Sequence, residues 1–428
     1  MTSQTSTTTT TKGSPPKLKP LAAAAVGNIV EWFDLTIYAT FAVYFSPLFF
    51  PSSNPTAALL STFAIFAVGF FVRPLGGWIL GGYADRRGRK RALTLTIVLM
   101  AVPTFVIGLS PTYETIGVFA PVILILARMT QGFAAGGESG GAMAYLHEIA
   151  PAHRRGLFTS LWYTTVVVGI ILATMIGFVL AKTMSTATLG DWGWRIPFLI
   201  GGAAGLVGLW VRSSMEETLD IASTPDAQEA PGSTGLRALA THYPRETIRI
   251  FLLTAGASTA WYTFVSYMPT HLIKTSKLPA DTTFGVHTLA LVVFMVLLPV
   301  FGHLSDKYGR RVLGYIFSIG GALTIVPLSL GLNDVWWQSL IIDIALLTLT
   351  ACIFSVLAAL MTEQFPSNMR AMGVGAPYNV SAAVFGGTAP FLLTWLSGEG
   401  LGTVYFAYLS VLVLLATFGL AKSRSRSS

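Results

Sequence analysis

Twelve long apolar runs, separated by short segments that hold nearly all the charge, leave this chain few ways to fold. A helix needs about 20 residues to cross about 30 Å of hydrocarbon. Runs near that length lie at 21–47, 59–81, 92–110, 116–145, 157–181, 195–211, 248–270, 284–304, 312–330, 336–360, 371–396 and 403–421. The stretches at 116–145 and 371–396 are long, and their charge and glycine patterns favour one tilted helix each. Only 11% of the residues are charged, against about 25% in a soluble domain, too few to cover domains that are 53% hydrophobic. The glycines let helices approach closely, and the tryptophans suit the membrane interface. The first run is too long for a signal-peptide core and lacks a small-residue cleavage site, so it is expected to stay as a span. The expected fold class is an all-α membrane protein with twelve transmembrane helices.

Positive charge orients those helices. With the N terminus inside, 21 of the 27 Lys and Arg residues fall in inner segments. Only Lys182, Lys274 and Lys277 fall in outer ones, and Arg73, Arg128 and Arg195 lie in or at the edge of spans. This asymmetry places both termini in the cytoplasm. The same placement argues against nucleic acid as the partner of a chain with net charge +8, because the cations orient helices and line no groove. A Thr/Ser/Pro-rich stretch at 1–20 reads as a disordered cytoplasmic tail. The expected organisation continues with a six-helix bundle at 21–212, a polar cytoplasmic linker at 213–247, a second bundle at 248–421 and a tail at 422–428. The single cysteine, Cys352, excludes an internal disulfide framework and a cysteine metal cluster. The histidines form no zinc pattern, so neither metal nor organic cofactor is expected.

The halves repeat. Gly81-x-x-x-Asp85-Arg86-x-Gly88-Arg89-Lys90 recurs as Gly302-x-x-x-Asp306-Lys307-x-Gly309-Arg310-Arg311. Glu148-x-x-Pro151 with Arg155 likewise recurs as Glu363-x-x-Pro366 with Arg370. Two motifs at nearly one offset indicate duplication into two six-helix halves, the arrangement of a transporter that alternates about a central site. Glycines there permit close packing, the aspartate favours a neighbouring helix N terminus, and the arginines bridge acidic groups. Gly81, Asp85, Arg86, Gly88, Arg89, Gly302, Asp306, Gly309 and Arg310 are therefore expected to gate. No Gly-x-x-x-x-Gly-Lys-Ser/Thr loop is present, which argues against an ATP-driven pump.

Charges inside spans mark the candidate site, since the bilayer tolerates them only against water, cargo or one another. Glu31 and Asp34 are one helical turn apart in span one, with Asn28 and Tyr38 nearly on the same face. Arg73 in span two is their natural electrostatic partner. In span four, Arg128, Gln131, Ala135 and Glu138 fall on one stripe of a glycine-rich helix. An arginine facing a cavity suits a carboxylate, which its donor fork binds at two points. The expected mechanism brings a substrate carboxylate into a positive cavity while a membrane acid carries the coupled proton. Asp34, Glu138 and Glu31 are the proton candidates; each could instead be a structural ion-pair partner of Arg73 or Arg128. Arg73, Arg128, Arg195, Tyr38 and Gln131 are the substrate candidates, with interfacial anchoring the alternative for Arg195. His287 and Asp343, isolated in spans eight and ten, read as helix packing or cavity hydration, with a titrating or functional role the alternative for each.

The repeated motif and the twelve-span plan resemble the major facilitator superfamily. Gly27-Asn28-Ile29-Val30-Glu31-Trp32-Phe33-Asp34, Val72-Arg73-Pro74-Leu75-Gly76-Gly77, Arg128-x-x-Gln131-Gly132 and Trp192-Gly193-Trp194-Arg195-Ile196-Pro197-Phe198 are similar to the metabolite:proton symporter family within it. The resemblance covers about residues 21 to 421. It implies a non-enzymatic, proton-coupled secondary transporter of the bacterial inner membrane, expected to work as a monomer on a small organic-acid substrate. Members carry proline and betaine, shikimate, citrate or 2-oxoglutarate. Tyr113-Glu114-Thr115-Ile116-Gly117, Tyr262-Thr263-Phe264 and Phe385-Gly386-Gly387-Thr388-Ala389 resemble the members that carry 2-oxoglutarate. A 2-oxoglutarate-like dicarboxylate is the leading expectation. Citrate, shikimate or another aromatic acid, and a zwitterionic osmolyte, stay open.

Overall fold

Hydrocarbon offers no partner for backbone N–H and C=O groups, so each apolar run must satisfy its own, and it does so as a helix. The computed structural model describes residues 18–87, 89–136, 150–213, 236–366 and 369–420. In chain order the long helices are α1 (Leu18–Phe49), α2 (Pro55–Arg87), α3 (Arg89–Leu109), α4 (Phe119–Gly136), α5 (Arg155–Thr183) and α6 (Arg195–Ser213). The second half supplies α7 (Pro244–Lys274), α8 (Ala280–Tyr308), α9 (Arg310–Leu330), α10 (Trp336–Thr362), α11 (Met372–Gly398) and α12 (Gly402–Gly419). Among the described residues there is no strand.

The helices depart from the sequence reading in several places. The run expected from residue 116 begins with a separate turn of helix, Tyr113–Ile116, and α4 starts only after Gly117, whose φ of 58° suits a residue without a side chain. Part of the expected linker is ordered: Leu236–His242 is a short helix, and α7 begins at Pro244, where proline fits a first helical turn. Tyr243 between them packs edge-on against Phe365 at 5.7 Å. α7, α9 and α11 each open into a wider π-type turn, at Trp261–Tyr267, Ile316–Gly320 and Ala382–Gly386.

Within the first half α2 packs on α4, α3 on α6 and α1 on α5; within the second α7 packs on α12 and α8 on α10. The halves meet most extensively where α5 lies along α8, and again where α2 lies along α11. The α5–α8 crossing is close because Gly156 and Gly302 face one another. A Cβ on Gly156 would meet the carbonyl oxygen of Gly302, and one on Gly302 would meet that of Gly156. Asp306, one turn beyond Gly302, accepts the backbone N–H groups of Gly156 at 2.8 Å and Leu157 at 3.0 Å, where the helix dipole favours a negative charge. At the other end of this pair of helices Lys182 of α5 meets Asp281 of α8 at 3.4 Å.

The first glycines of the two motif copies stand in different surroundings. Gly309 closes α8 with φ 97°, and Arg310 pairs with Glu363 and lies 3.8 Å from Asp306. In the first copy, a Cβ at Gly81 would meet nothing within 4 Å. Gly88 lies outside the described residues, as do the side chains of Asp85, Arg86 and Arg89. Gly302→Ala is expected to prevent α5 from closing on α8, lowering uptake about tenfold. Gly81→Ala should leave the melting temperature level or higher, because alanine gains roughly 1 kcal/mol of helix propensity. Equal effects in paired uptake and thermal-melt measurements would refute this asymmetry.

Candidate substrate and coupling site

Asp34 is buried at mid-length of α1. Its carboxylate accepts the Thr104 hydroxyl of α3 at 2.6 Å and the Gln131 amide of α4 at 2.7 Å. Gln131 also donates to the Thr104 hydroxyl at 3.0 Å. Arg128, one turn before Gln131 and on the same helix face, stands 3.9 Å from Asp34, an ion pair beyond hydrogen-bond length. Its guanidinium lies over the Tyr38 ring, 3.6 Å from the centroid, a cation–π contact that holds the group flat. None of the three Arg128 nitrogens has a hydrogen-bond partner, although the side chain is only 2% exposed. Five N–H donors thus stand unused in a water-poor centre, an arrangement that favours an incoming anion. The Tyr38 hydroxyl is occupied, donating to the Thr62 carbonyl at 3.0 Å.

A second cation lies toward the other half. Arg73 is buried on α2 with its guanidinium 3.9 Å from the centroid of Phe70, and its Nε has no partner. Tyr262 of α7 and Tyr378 of α11 both lie within electrostatic reach of Arg73 and of Glu31. Around these groups aromatic rings bridge the halves. Trp32 of α1 stacks on Tyr262 at 6.3 Å and meets Trp261 edge-on at 5.4 Å. Phe70 meets Tyr262 at 4.9 Å, and Tyr163 of α5 meets Phe354 of α10 at the same spacing.

Of the residues singled out in the sequence, Asp34, Arg128, Gln131 and Tyr38 form one cluster, while Arg73 and Glu31 sit at the seam between halves. The natural-partner reading of Arg73 needs correcting for Asp34, whose ion pair is with Arg128. Arg195 stands apart at the start of α6, where its guanidinium donates to the Ser110 carbonyl at 3.0 Å and lies over Trp194. Glu138 lies outside the described residues. Two features escaped the sequence reading: Thr104 as a ligand of Asp34, and the union of His287 with Asp343. The latter two, read separately as packing or hydration, meet at 2.7 Å with neither exposed.

Two duplicated helical halves around buried charges, sealed by aromatic rings from both sides, define a membrane transporter. The Major Facilitator Superfamily profile matches residues 24–376, and the chain belongs to that family. It is 38% identical over 398 residues to the alpha-ketoglutarate permease of Escherichia coli K12, covering 92% of this chain and 91% of that one. It is 31% identical over 411 residues to the proline/betaine transporter of the same strain, covering 94% of this chain and 82% of that one. Among solved structures, a D-xylose-proton symporter superposes with a TM-score of 0.73 at 17% identity, covering 95% of this chain and 97% of that one. That likeness establishes the fold.

Proposed function

We propose that the chain is a proton-coupled symporter that imports a dicarboxylate of the 2-oxoglutarate type by alternating access. The observation that carries this reading is the buried Arg128 guanidinium with every donor unused. A carboxylate arriving there gains a two-point, charge-assisted contact, and a second carboxylate finds Arg73 at the seam. Asp34 already shares Arg128. Protonating Asp34 releases the arginine to the substrate, which gives a physical reason for cargo and proton to travel together. Asp34 is accordingly the first proton candidate, with Glu31 and Glu138 behind it. The aromatic contacts between Trp32, Phe70 and Tyr262 are those that parting of the halves must break and remake. The end bearing the basic segments faces the cytoplasm of a bacterial plasma membrane, and one chain holds the whole site.

The likeness to the permease supports the choice of cargo. A zwitterionic osmolyte is the second reading, favoured by Glu31 near Tyr262 and Tyr378, a setting suited to an ammonium group. Purified protein in sealed liposomes, offered 2-oxoglutarate, succinate, citrate, shikimate and betaine while the pH gradient and voltage are set independently, separates these. Accumulation of 2-oxoglutarate driven by an inward proton gradient is expected. Accumulation of betaine alone, or uptake indifferent to the gradient, would overturn the dicarboxylate symport.

A further inference from the structure

The second half holds a buried histidine–aspartate pair. His287 of α8 and Asp343 of α10 are fully buried, with Nδ1 2.7 Å from one carboxylate oxygen. The other ring nitrogen, Nε2, is 3.2 Å from the backbone carbonyl of Val265 in α7. A carbonyl only accepts, so Nε2 carries a hydrogen. At 2.7 Å a second proton must then lie between Nδ1 and the carboxylate, on one atom or the other; without it two lone pairs would face each other. The pair as seen is therefore proton-loaded and neutral overall. Losing that proton leaves a neutral imidazole beside a buried carboxylate, with one net negative charge. The second Asp343 oxygen has no hydrogen-bond partner to soften this charge.

Among the described residues, His287 is the titratable side chain that reaches the Asp343 carboxylate. From α5 the neighbour is Thr174, which accepts from Thr288 at 2.9 Å. On α7, Tyr267 shares a hydrogen bond with Thr394, and His271 lies edge-on to Phe406 with its Nδ1 unpartnered. The charges of α9, Arg310 and Arg311, belong to its first turn at the basic end, where Arg310 meets Glu363. Val265 links the pair to the transport cycle. It lies in the π-type turn Trp261–Tyr267, whose Trp261 and Tyr262 pack on Trp32, and Tyr262 also on Phe70, of the first half. Single π-type turns inside helices are frequent at functional sites. Separation of the halves therefore pulls on the carbonyl that fixes the imidazole.

We propose that His287 and Asp343 carry a second coupled proton, so that two protons accompany each dianion. This rests on the symport reading above. In the loaded state the shared proton is held between Nδ1 and the carboxylate. On opening to the cytoplasm that N–H or O–H bond breaks, the proton passes to water there, and the pair regains one from the outer side on the return. Two protons cancel a dianion's charge, so import no longer works against a membrane potential negative inside.

The test is the proton-to-substrate ratio in sealed liposomes, read from substrate-driven alkalinisation of the outer medium at clamped voltage, with 2-oxoglutarate as probe. Wild type is expected to move two protons per substrate and to ignore voltage. Asp343→Asn and His287→Gln should each lower the ratio to one and make a negative interior oppose uptake, while exchange of labelled for unlabelled substrate persists. Asp343→Glu, which restores a carboxylate, should keep two. A ratio unchanged from wild type in the folded Asn or Gln variant overturns the pair's role and leaves symport intact. Absence of any proton movement in the wild type sinks the symport reading and the pair with it.

Discussion

Arg128→Ala is expected to lower concentrative uptake by at least a hundredfold and to destabilise the solubilised protein. Removing one partner of a buried ion pair costs about 3–5 kcal/mol, because the remaining charge keeps its desolvation without its attraction. Asp34 would retain the Thr104 and Gln131 donors but lose its cation. Combining Arg128→Ala with Asp34→Asn should recover most of the melting temperature and none of the uptake, since the carboxylate no longer needs the arginine while the substrate still does. Arg128→Lys distinguishes charge from shape. Lysine restores the positive charge but neither the flat stack on Tyr38 nor the two-point fork, so the fold should return while transport stays at least tenfold below wild type. Full uptake by the lysine variant would remove the carboxylate-fork argument. Thermal melts and initial uptake rates on the same preparations read all three variants.

The helices were legible in the sequence because run length and the placement of charge both report the bilayer. Their duplication was legible because Asp85 and Asp306 sit in the same motif. The Asp34 site was half legible. Arg128 and Gln131 fall on one stripe by simple spacing, but Thr104 is an ordinary residue in an apolar run, and nothing in α3 marks it as a ligand. The partner of Asp34 depended on which faces α1, α2 and α4 turn to one another, a matter of packing that span depth alone does not decide. His287 and Asp343 did leave a signal. Each lies seven residues from the start of its helix, α8 from Ala280 and α10 from Trp336, so at 1.5 Å per residue both sit about 10 Å deep from the same end. Two lone polar residues at one depth on neighbouring spans can meet. The aromatic seam left none: Trp32, Phe70 and Trp261 are large apolar side chains like many others in these runs, because lipid and protein interior select the same side chains.

Gly132→Val is expected to remove nearly all transport-competent protein, an effect set by backbone geometry and not by the site's charges. Where α2 and α4 cross, a Cβ on Gly132 would fall on the carbonyl of Gly69, one on Gly76 on that of Phe133, and one on Gly136 on that of Arg73. A Cβ on Gly69 would in turn lie 3.0 Å from the carbonyl oxygen of Arg128. Overpacking a flexible core costs about 1–3 kcal/mol; here the obstacle is backbone on both sides, so no rotamer change relieves it and the helices must part. The two arginines proposed to grip the substrate are each in contact with a glycine of the opposite helix, Arg73 with Gly136 and Arg128 with Gly69. Any separation of α2 from α4 therefore changes the spacing between the two guanidinium groups. Gly132→Ala, a smaller wedge, should fold in part and show weaker affinity for a dicarboxylate, with a smaller loss for a monocarboxylate analogue that needs only one arginine. Equal losses for both would mean that the glycine seam supports the fold without setting the distance between the cations.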